Sequence, residues 1–233
     1  MRKFCKCGCE EFAKKGNEYI NGHNGKKKYH LNENYFEKID NQEKAYFLGF
    51  MFADGGIHSK RNQCSITLEK KDKKILERFQ NLLKTNRPLF WRKKYRSWRL
   101  SLSSRKMKND LIKAGCIPQK TFKLIFPHWL EKNLKSHFIR GYLDGDGCVS
   151  IHFINNHKQK SLRVTILGRE NFLKNILNLS NIRGHIIKER NQRIWRLRFC
   201  SSFAVSFCNW IYKDATIYLE RKYNKFLEYL KNS

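Results

Sequence analysis

Two Asp-Gly steps, at Asp54 and Asp146, are the positions where this sequence could do chemistry. Each ends an apolar stretch, LGFMFADGGI from Leu48 to Ile57 and RGYLDGDGCV from Arg140 to Val149. Each stretch places two small residues four apart, Gly49 with Ala53 and Gly141 with Gly145. Residues at that spacing share a helix face, and small side chains there let two backbones approach closely. Glycine inside a helix costs about 1 kcal/mol relative to alanine, so Gly49 and Gly141 call for a packing reason. If the two helices pack along these faces, their ends bring Asp54 and Asp146 together. Paired carboxylates repel unless a divalent cation neutralises them, and hard oxygen ligands suit Mg²⁺. Two carboxylates and Mg²⁺ beside a basic surface describe phosphodiester hydrolysis, with water as nucleophile and the metal stabilising developing charge. A single Asp-Gly after a helix is more often an ordinary C-terminal turn. Two of them, each behind a Gly-xxx-small helix in a strongly basic chain, favour the chemical reading.

The charge is extreme. Lys and Arg number 49 against 20 Asp and Glu in 233 residues, a net charge of +29. Self-repulsion of that size destabilises a compact chain unless a polyanion screens it, and nucleic-acid phosphates reward Lys and Arg by counterion release. Hydrophobic content of 40% with 14% aromatics supplies a core, which excludes wholesale disorder. No apolar run approaches the roughly 18 residues of a spanning helix, so no membrane partner is expected. MRKFCKCGCEEF at the start has no apolar h-region, so no secretory signal is expected. An intracellular, reducing compartment with access to DNA follows, in which the eight cysteines are thiols or metal ligands.

The elements that must position the aspartates come in two copies. RSWRLSLSS at Arg96 matches RIWRLRFCS at Arg193, 97 residues on, and the two Asp-Gly stretches match 92 apart. Between them CSITLE at Cys64 aligns with LRVTIL at Leu162, 98 apart, the extra residues falling in the polar stretch Asn155 to Ser161. Order kept through three segments indicates a duplicated unit, at about 43–125 and 134–230. Each copy begins with a helix (Gln42 to Ala53; Leu134 to Gly145). Two strands follow, then a helix (Asp72 to Leu83; Glu170 to Leu179), two more strands and a closing helix. The order αββαββα predicts an α+β fold: two pseudosymmetric units whose antiparallel sheets carry helices on one face and leave the other wet. As domains, 1–42 is an N-terminal extension, 43–133 the first unit and 134–233 the second.

Period-2 alternation sorts the strand residues. Cys64, Ile66, Leu68, Trp98, Leu100 and Leu102 face inward, as do Trp195, Leu197 and Phe199. The outward face of the first copy receives Gln63, Ser65, Arg92, Lys94, Arg96, Arg99 and Ser101, with Lys60 and Arg61 in the loop before it. That of the second receives Ser150, His152, Arg163, Thr165, Arg196 and Arg198. A β-ribbon fits the major groove of DNA, so these are the expected DNA-contacting residues; for any one arginine a solvated sheet face remains the alternative.

FLGFMFADG (Phe47 to Gly55) and IRGYLDGDG (Ile139 to Gly147) resemble the two motifs of the LAGLIDADG homing endonucleases in their single-chain form. GCIPQKTFKL at Gly115 and YLERKYNKF at Tyr218 resemble the segments that close each unit of that family, so the resemblance runs over about residues 43 to 230. It implies a DNA-binding saddle and catalytic metal held by Asp54 and Asp146, with the backbone carbonyls of Ala53 and Gly145 as further metal contacts. It also places Lys120 and Lys222 near the scissile phosphates, against the alternative of plain surface lysines. Asp144 conforms to the family at two residues before the catalytic acid. Phe52 does not, which bears on packing more than on chemistry.

Residues 1–42 lie outside the duplication. Cys5, Cys7 and Cys9 with one of His23 and His30, His23 being favoured, make a structural zinc set of three thiols and one imidazole. In a straight strand Cys5 and Cys9 would stand about 13 Å apart, so the chain must bend, and Gly8 permits it. The other reading is a basic arm, GKKKYH, with incidental cysteines. Taken together, the sequence points to a monomeric, Mg²⁺-dependent endonuclease that cuts both strands of a long pseudo-palindromic duplex. Two alternatives keep the scaffold: an intron RNA maturase, and a DNA-binding regulator without cleavage.

Overall fold

Two helices form the centre of the molecule; the first is apolar nearly all round and must be covered on every side, and the second buries its C-terminal half against it. The first, α1 (Gln42–Ala53), starts where the Asn41 side chain accepts a hydrogen bond from the Lys44 N–H at 2.9 Å; Ala45 through Phe52 are all buried. The second, α4 (Lys132–Asp146), begins two residues earlier than the sequence pattern indicated and buries Leu134 and Phe138 through Asp144. The two pack backbone to backbone. A methyl added at Gly49 would collide with the Phe138 carbonyl, and one at Gly141 with the Tyr46 carbonyl. The helix-pairing role of the two glycines is therefore met at both positions.

The computed structural model describes residues 3–6, 11–23, 29–119, 123–154, 159–190 and 193–231. Each central helix feeds directly into an antiparallel sheet. The first sheet is β1 (Gly55–Ile57), β2 (Gln63–Glu69), β3 (Phe90–Arg92) and β4 (Ser97–Ser103), in the order β1-β2-β4-β3. The second is β5 (Gly147–Ile154), β6 (Gln159–Gly168), β7 (His185–Lys188) and β8 (Trp195–Cys200), in the equivalent order β5-β6-β8-β7. Helices α2 (Lys73–Leu82), α3 (Arg105–Lys113), α5 (Glu170–Ser180), α6 (Ser201–Tyr212) and α7 (Glu220–Lys231) complete the two units. This is the expected α+β duplication of two four-stranded antiparallel sheets with helices. Among the described residues no helix is long and apolar enough to cross a membrane.

The register corrects one part of the repeat. Gly55 pairs with Ile66 in the first sheet and Gly147 with Ile166 in the second. Residues of β2 and β6 therefore correspond at a spacing of 100, not 98, so that Cys64 matches Val164. Leu68 pairs with Trp98, and Gly168 with Trp195, which keeps the 97-residue match of β4 with β8. Side chains alternate with a period of two, so a two-residue slip leaves every residue on its own face and no hydrophobic pattern reveals it.

Two further features depart from strict repetition. The second unit closes with both α6 and α7, whereas among the described residues the first shows no further helix between α3 and α4. Part of the N-terminal extension is core: Tyr35, Phe36 and Ile39 are buried, the two rings within 6.0 Å of the Phe79 ring on α2. The units are also clamped together where Arg221 of α7 grips the buried Asp72 carboxylate through two nitrogens, at 2.9 and 3.0 Å.

Candidate active site and nucleic-acid interface

Asp54 ends α1, its N–H closing on the Phe50 carbonyl at 2.9 Å, and β1 starts at the next residue. Asp146 is the last residue of α4, and β5 starts at Gly147. Both aspartates are exposed. Gly145 is seated so tightly on α1 that a methyl there would collide with that of Ala53 and stand 3.4 Å from Asp54 Oδ2. The Asp54 carboxylate thus lies against the residue that precedes Asp146. Two exposed carboxylates stand at the ends of two touching helices, where the last carbonyls of each helix have no partner within the helix. This donor set of hard oxygens fits Mg²⁺ or a similar divalent cation. It contains no His or Cys, and among the described residues no three His, Cys, Asp or Glu side chains converge on one point.

The two helix ends are held by different chemistry. At α4, the Lys222 ammonium donates to the carbonyls of Leu143 at 2.7 Å, Asp144 at 2.8 Å and Gly147 at 2.6 Å. Lys222 is 2% exposed, so it is not a surface lysine. Its three donors are committed to the turn that carries Asp146. Burial lowers its pKa, and the nearby Asp144 carboxylate opposes that shift. Asp144 is buried as well. Its Oδ2 accepts from the Tyr46 hydroxyl at 2.9 Å and the Leu219 N–H at 2.8 Å, and burial pushes its pKa up to about 6, with Lys222 pulling the other way. Arg140, fully buried, donates to the carbonyls of Ile217 at 2.8 Å and Ile211 at 2.7 Å. It lies 5.5 Å from the centre of the Tyr46 ring. At α1 the place of Asp144 is taken by Phe52, edge-on to Phe138 at 5.1 Å. The Met51 carbonyl, counterpart of Leu143, accepts from the Cys116 thiol at 3.3 Å.

Sequence reasoning singled out neither Tyr46, Arg140 nor Cys116. An arginine inside the apolar helix IRGYLDGDG was the available signal, because a fully buried guanidinium requires carbonyl or carboxylate partners. Lys120 lies outside the described residues, as do Cys7 and Cys9. Of the other zinc candidates, Cys5 is 3% exposed and its sulfur lies 3.9 Å from His23 Nδ1. The Ile20 N–H donates to that sulfur at 3.2 Å.

The sheet faces opposite the helices carry the expected polar residues, with three corrections. Ser65 points outward but is only 9% exposed, because Arg99 lies over it and donates to its hydroxyl at 2.9 Å. Lys94 and Arg96 are exposed but stand in the turn between β3 and β4 instead of on a strand. Gln63 donates to the Ser101 hydroxyl at 2.6 Å, and Arg92 stacks on Tyr95 at 4.2 Å. Lys60 and Arg61 are exposed in the β1–β2 loop. In the second sheet Thr165 pairs with Arg198, and Arg163 with Cys200. Ser150 bonds His152 at 2.8 Å, and Arg196 lies 2.7 Å from the Glu189 carboxylate.

Residues 41–86, covering α1 to α2, match the family model of the LAGLIDADG-like domain. Solved structures share the fold across most of the chain. The I-LtrWI LAGLIDADG homing endonuclease bound to target DNA is similar over 86% of this chain and 91% of its own, with a TM-score of 0.57 at 14% identity. For I-GzeII in complex with its DNA target the figures are 83%, 89%, 0.58 and 14%. I-SmaMI, bound to uncleaved DNA in the presence of calcium ions, gives 83%, 90%, 0.56 and 13%. No curated protein sequence matches.

Proposed function

We propose, for a chain that carries a LAGLIDADG-like domain within the two-unit LAGLIDADG fold, that it is a site-specific endonuclease. Its substrate is a long, pseudo-palindromic DNA duplex, which it binds as a monomer and cuts on both strands. The observation that carries this reading is that two helices in backbone contact each end in an exposed carboxylate, Asp54 and Asp146, and each runs straight into an Arg-bearing sheet. A net charge of +29 supplies the attraction for a polyanion.

Asp54 and Asp146, with the carbonyls of Ala53 and Gly145, would hold Mg²⁺, which supplies Lewis-acid stabilisation of the charge that develops on phosphate oxygens. Each aspartate serves one strand, and each sheet orients one half of the duplex. Lys222 fixes the turn that carries Asp146, acting as a positioning residue through its three carbonyls. We assign Lys120 the matching part in the first unit by its place in the closing segment. Asp144 does not share in the metal: it is buried and faces Tyr46 and the α7 backbone. Cleavage in both units is favoured over the maturase and the regulator because both acids are present and exposed.

The buried Cys5 sulfur beside His23, accepting an N–H bond as metal thiolates do, supports a structural zinc in the extension closed by Cys7 and Cys9. Metal analysis of the purified protein should then find about one zinc per chain, lost in a Cys5→Ser variant. For the main reading, duplexes bound by the chain are selected from a random pool, cloned into a plasmid and incubated with and without Mg²⁺. Linear product only with Mg²⁺ is expected; a bound but uncut plasmid would favour the regulator.

A further inference from the structure

The corrected register sets the two recognition faces side by side, residue for residue. Gln63 corresponds to Arg163, Ser65 to Thr165, Arg99 to Arg196 and Ser101 to Arg198. In the first sheet these positions bond one another: Gln63 donates to Ser101, and one terminal nitrogen of Arg99 donates to Ser65. In the second, the Gln–Ser pair is replaced by two guanidinium groups that cannot bond each other. The Nε atoms of Arg163, Arg196 and Arg198, like that of Arg99 in the first sheet, are buried with no hydrogen-bond partner among the described residues. Of the three, Arg196 has a carboxylate beside it, Glu189 at 2.7 Å, whereas among the described residues Arg163 and Arg198 have no ion pair. The two arginines without a carboxylate are diagonal neighbours on one face of adjacent strands, two rungs apart in the ladder. Both also depress the protonation of His152, whose pKa is lowered first by burial and then by these two cations.

Two neighbouring cations left without an acidic partner on a groove-facing sheet need an acceptor from the ligand. In the major groove the base offering two acceptors side by side is guanine, through O6 and N7, and the guanidinium fork matches them. Gln63 has one amide hydrogen committed to Ser101 and keeps its carbonyl oxygen as an acceptor. That suits bases with an exocyclic amine, adenine or cytosine.

We infer that the preferred duplex is asymmetric in composition: the half under β5–β8 carries guanines facing Arg163 and Arg198, and the half under β1–β4 carries adenine or cytosine facing Gln63. The inference rests on the reading of the chain as a DNA binder and names the substrate of that same surface.

The test is selection of bound duplexes from a randomised pool by the full chain, without divalent cation so that nothing is cut. The wild type should enrich guanine in one half only. An Arg163→Gln, Arg198→Ser double variant should lose that enrichment about 5- to 150-fold at each of the two positions, the equivalent of about 1–3 kcal/mol per contact, while the other half is unchanged. Gln63→Arg should create a guanine preference at the matching position of the first half. All three substitutions lie on the outward face, and an unchanged melting temperature would confirm that each variant is folded. Bound duplexes without one-sided guanine, or guanine enrichment indifferent to the Arg163 and Arg198 substitutions, would overturn the inference while leaving DNA binding intact. Failure to enrich any duplex would overturn the DNA-binding reading and the inference with it.

Discussion

The end of α1 and the end of α4 present the same aspartate by opposite means. Around Asp54 the support is apolar and neutral, with Phe52 in the core and a thiol on the Met51 carbonyl. Around Asp146 it is a buried ionic network of Arg140, Asp144 and Lys222, reached from the first unit by the Tyr46 hydroxyl. A buried charge is costly unless its partners are in place, and here, apart from the bond of Arg140 to His137, the hydrogen-bond partners lie at long sequence separation. The first end is therefore set by local packing. The second is set by the docking of α7, which brings both Lys222 and the Leu219 N–H. Pseudosymmetry governs where the acids stand, and each unit meets the requirement with its own chemistry.

Removing the cap should separate the two ends most clearly. Lys222→Ala strips three carbonyls of their donor and leaves Asp144 short of its cation, a loss of about 3–5 kcal/mol when one member of a buried charged set is deleted. Cys116→Ala removes one thiol–carbonyl bond and should cost about 1 kcal/mol. Urea unfolding of the two variants would show the contrast, and equal losses would dissolve it.

Asp144 gives the comparison a pH signature. Its folded pKa of about 6 lies above the ordinary carboxylate value of 3.8. A raised carboxylate pKa contributes stability below the unfolded value, and that contribution is lost as pH rises through the folded one. At about 1.4 kcal/mol per pKa unit this amounts to about 3 kcal/mol. The stability of the wild type relative to Asp144→Asn should fall between pH 4 and 6 and be level above it. A Phe52→Leu variant at the matching position should show no such slope against the wild type.

The helix contact tests what the two ends share. Gly141→Leu and Gly49→Leu each force a branched side chain against backbone, and overpacking usually costs about 1–3 kcal/mol. The helices can relieve it only by separating, which spreads the aspartates, and misplacement by about 1 Å can cost about a hundredfold in rate. Both variants should lose cleavage more than DNA affinity. A loss in one alone would show that the contact is not symmetric in effect.

What was legible in the sequence follows the same divide. Gly49, Ala53, Gly141 and Gly145 announced the helix contact because small residues four apart have a local meaning, and Arg196 and Arg198 announced a face because strands alternate. The β6 register was not legible, since a slip of two preserves alternation. The burial of Lys222 and of Asp144 was not either: their partners lie 75 to 98 residues away, and nothing in YLERKYNKF distinguishes a buried lysine from an exposed one. Ser65 was misread because alternation gives the direction of a side chain and not what lies over it.

On the proposed reading Asp54 and Asp146, alike in place and unlike in support, each cut one strand. The direct measurement is cleavage of a selected duplex in Mg²⁺ by Asp54→Asn and by Asp146→Asn, with DNA affinity measured alongside. Each variant should fail to make double-strand breaks while binding as well as the wild type or better, because a charge facing phosphate has been removed. If either variant still linearised the duplex at the native rate, the assignment of that carboxylate would be wrong.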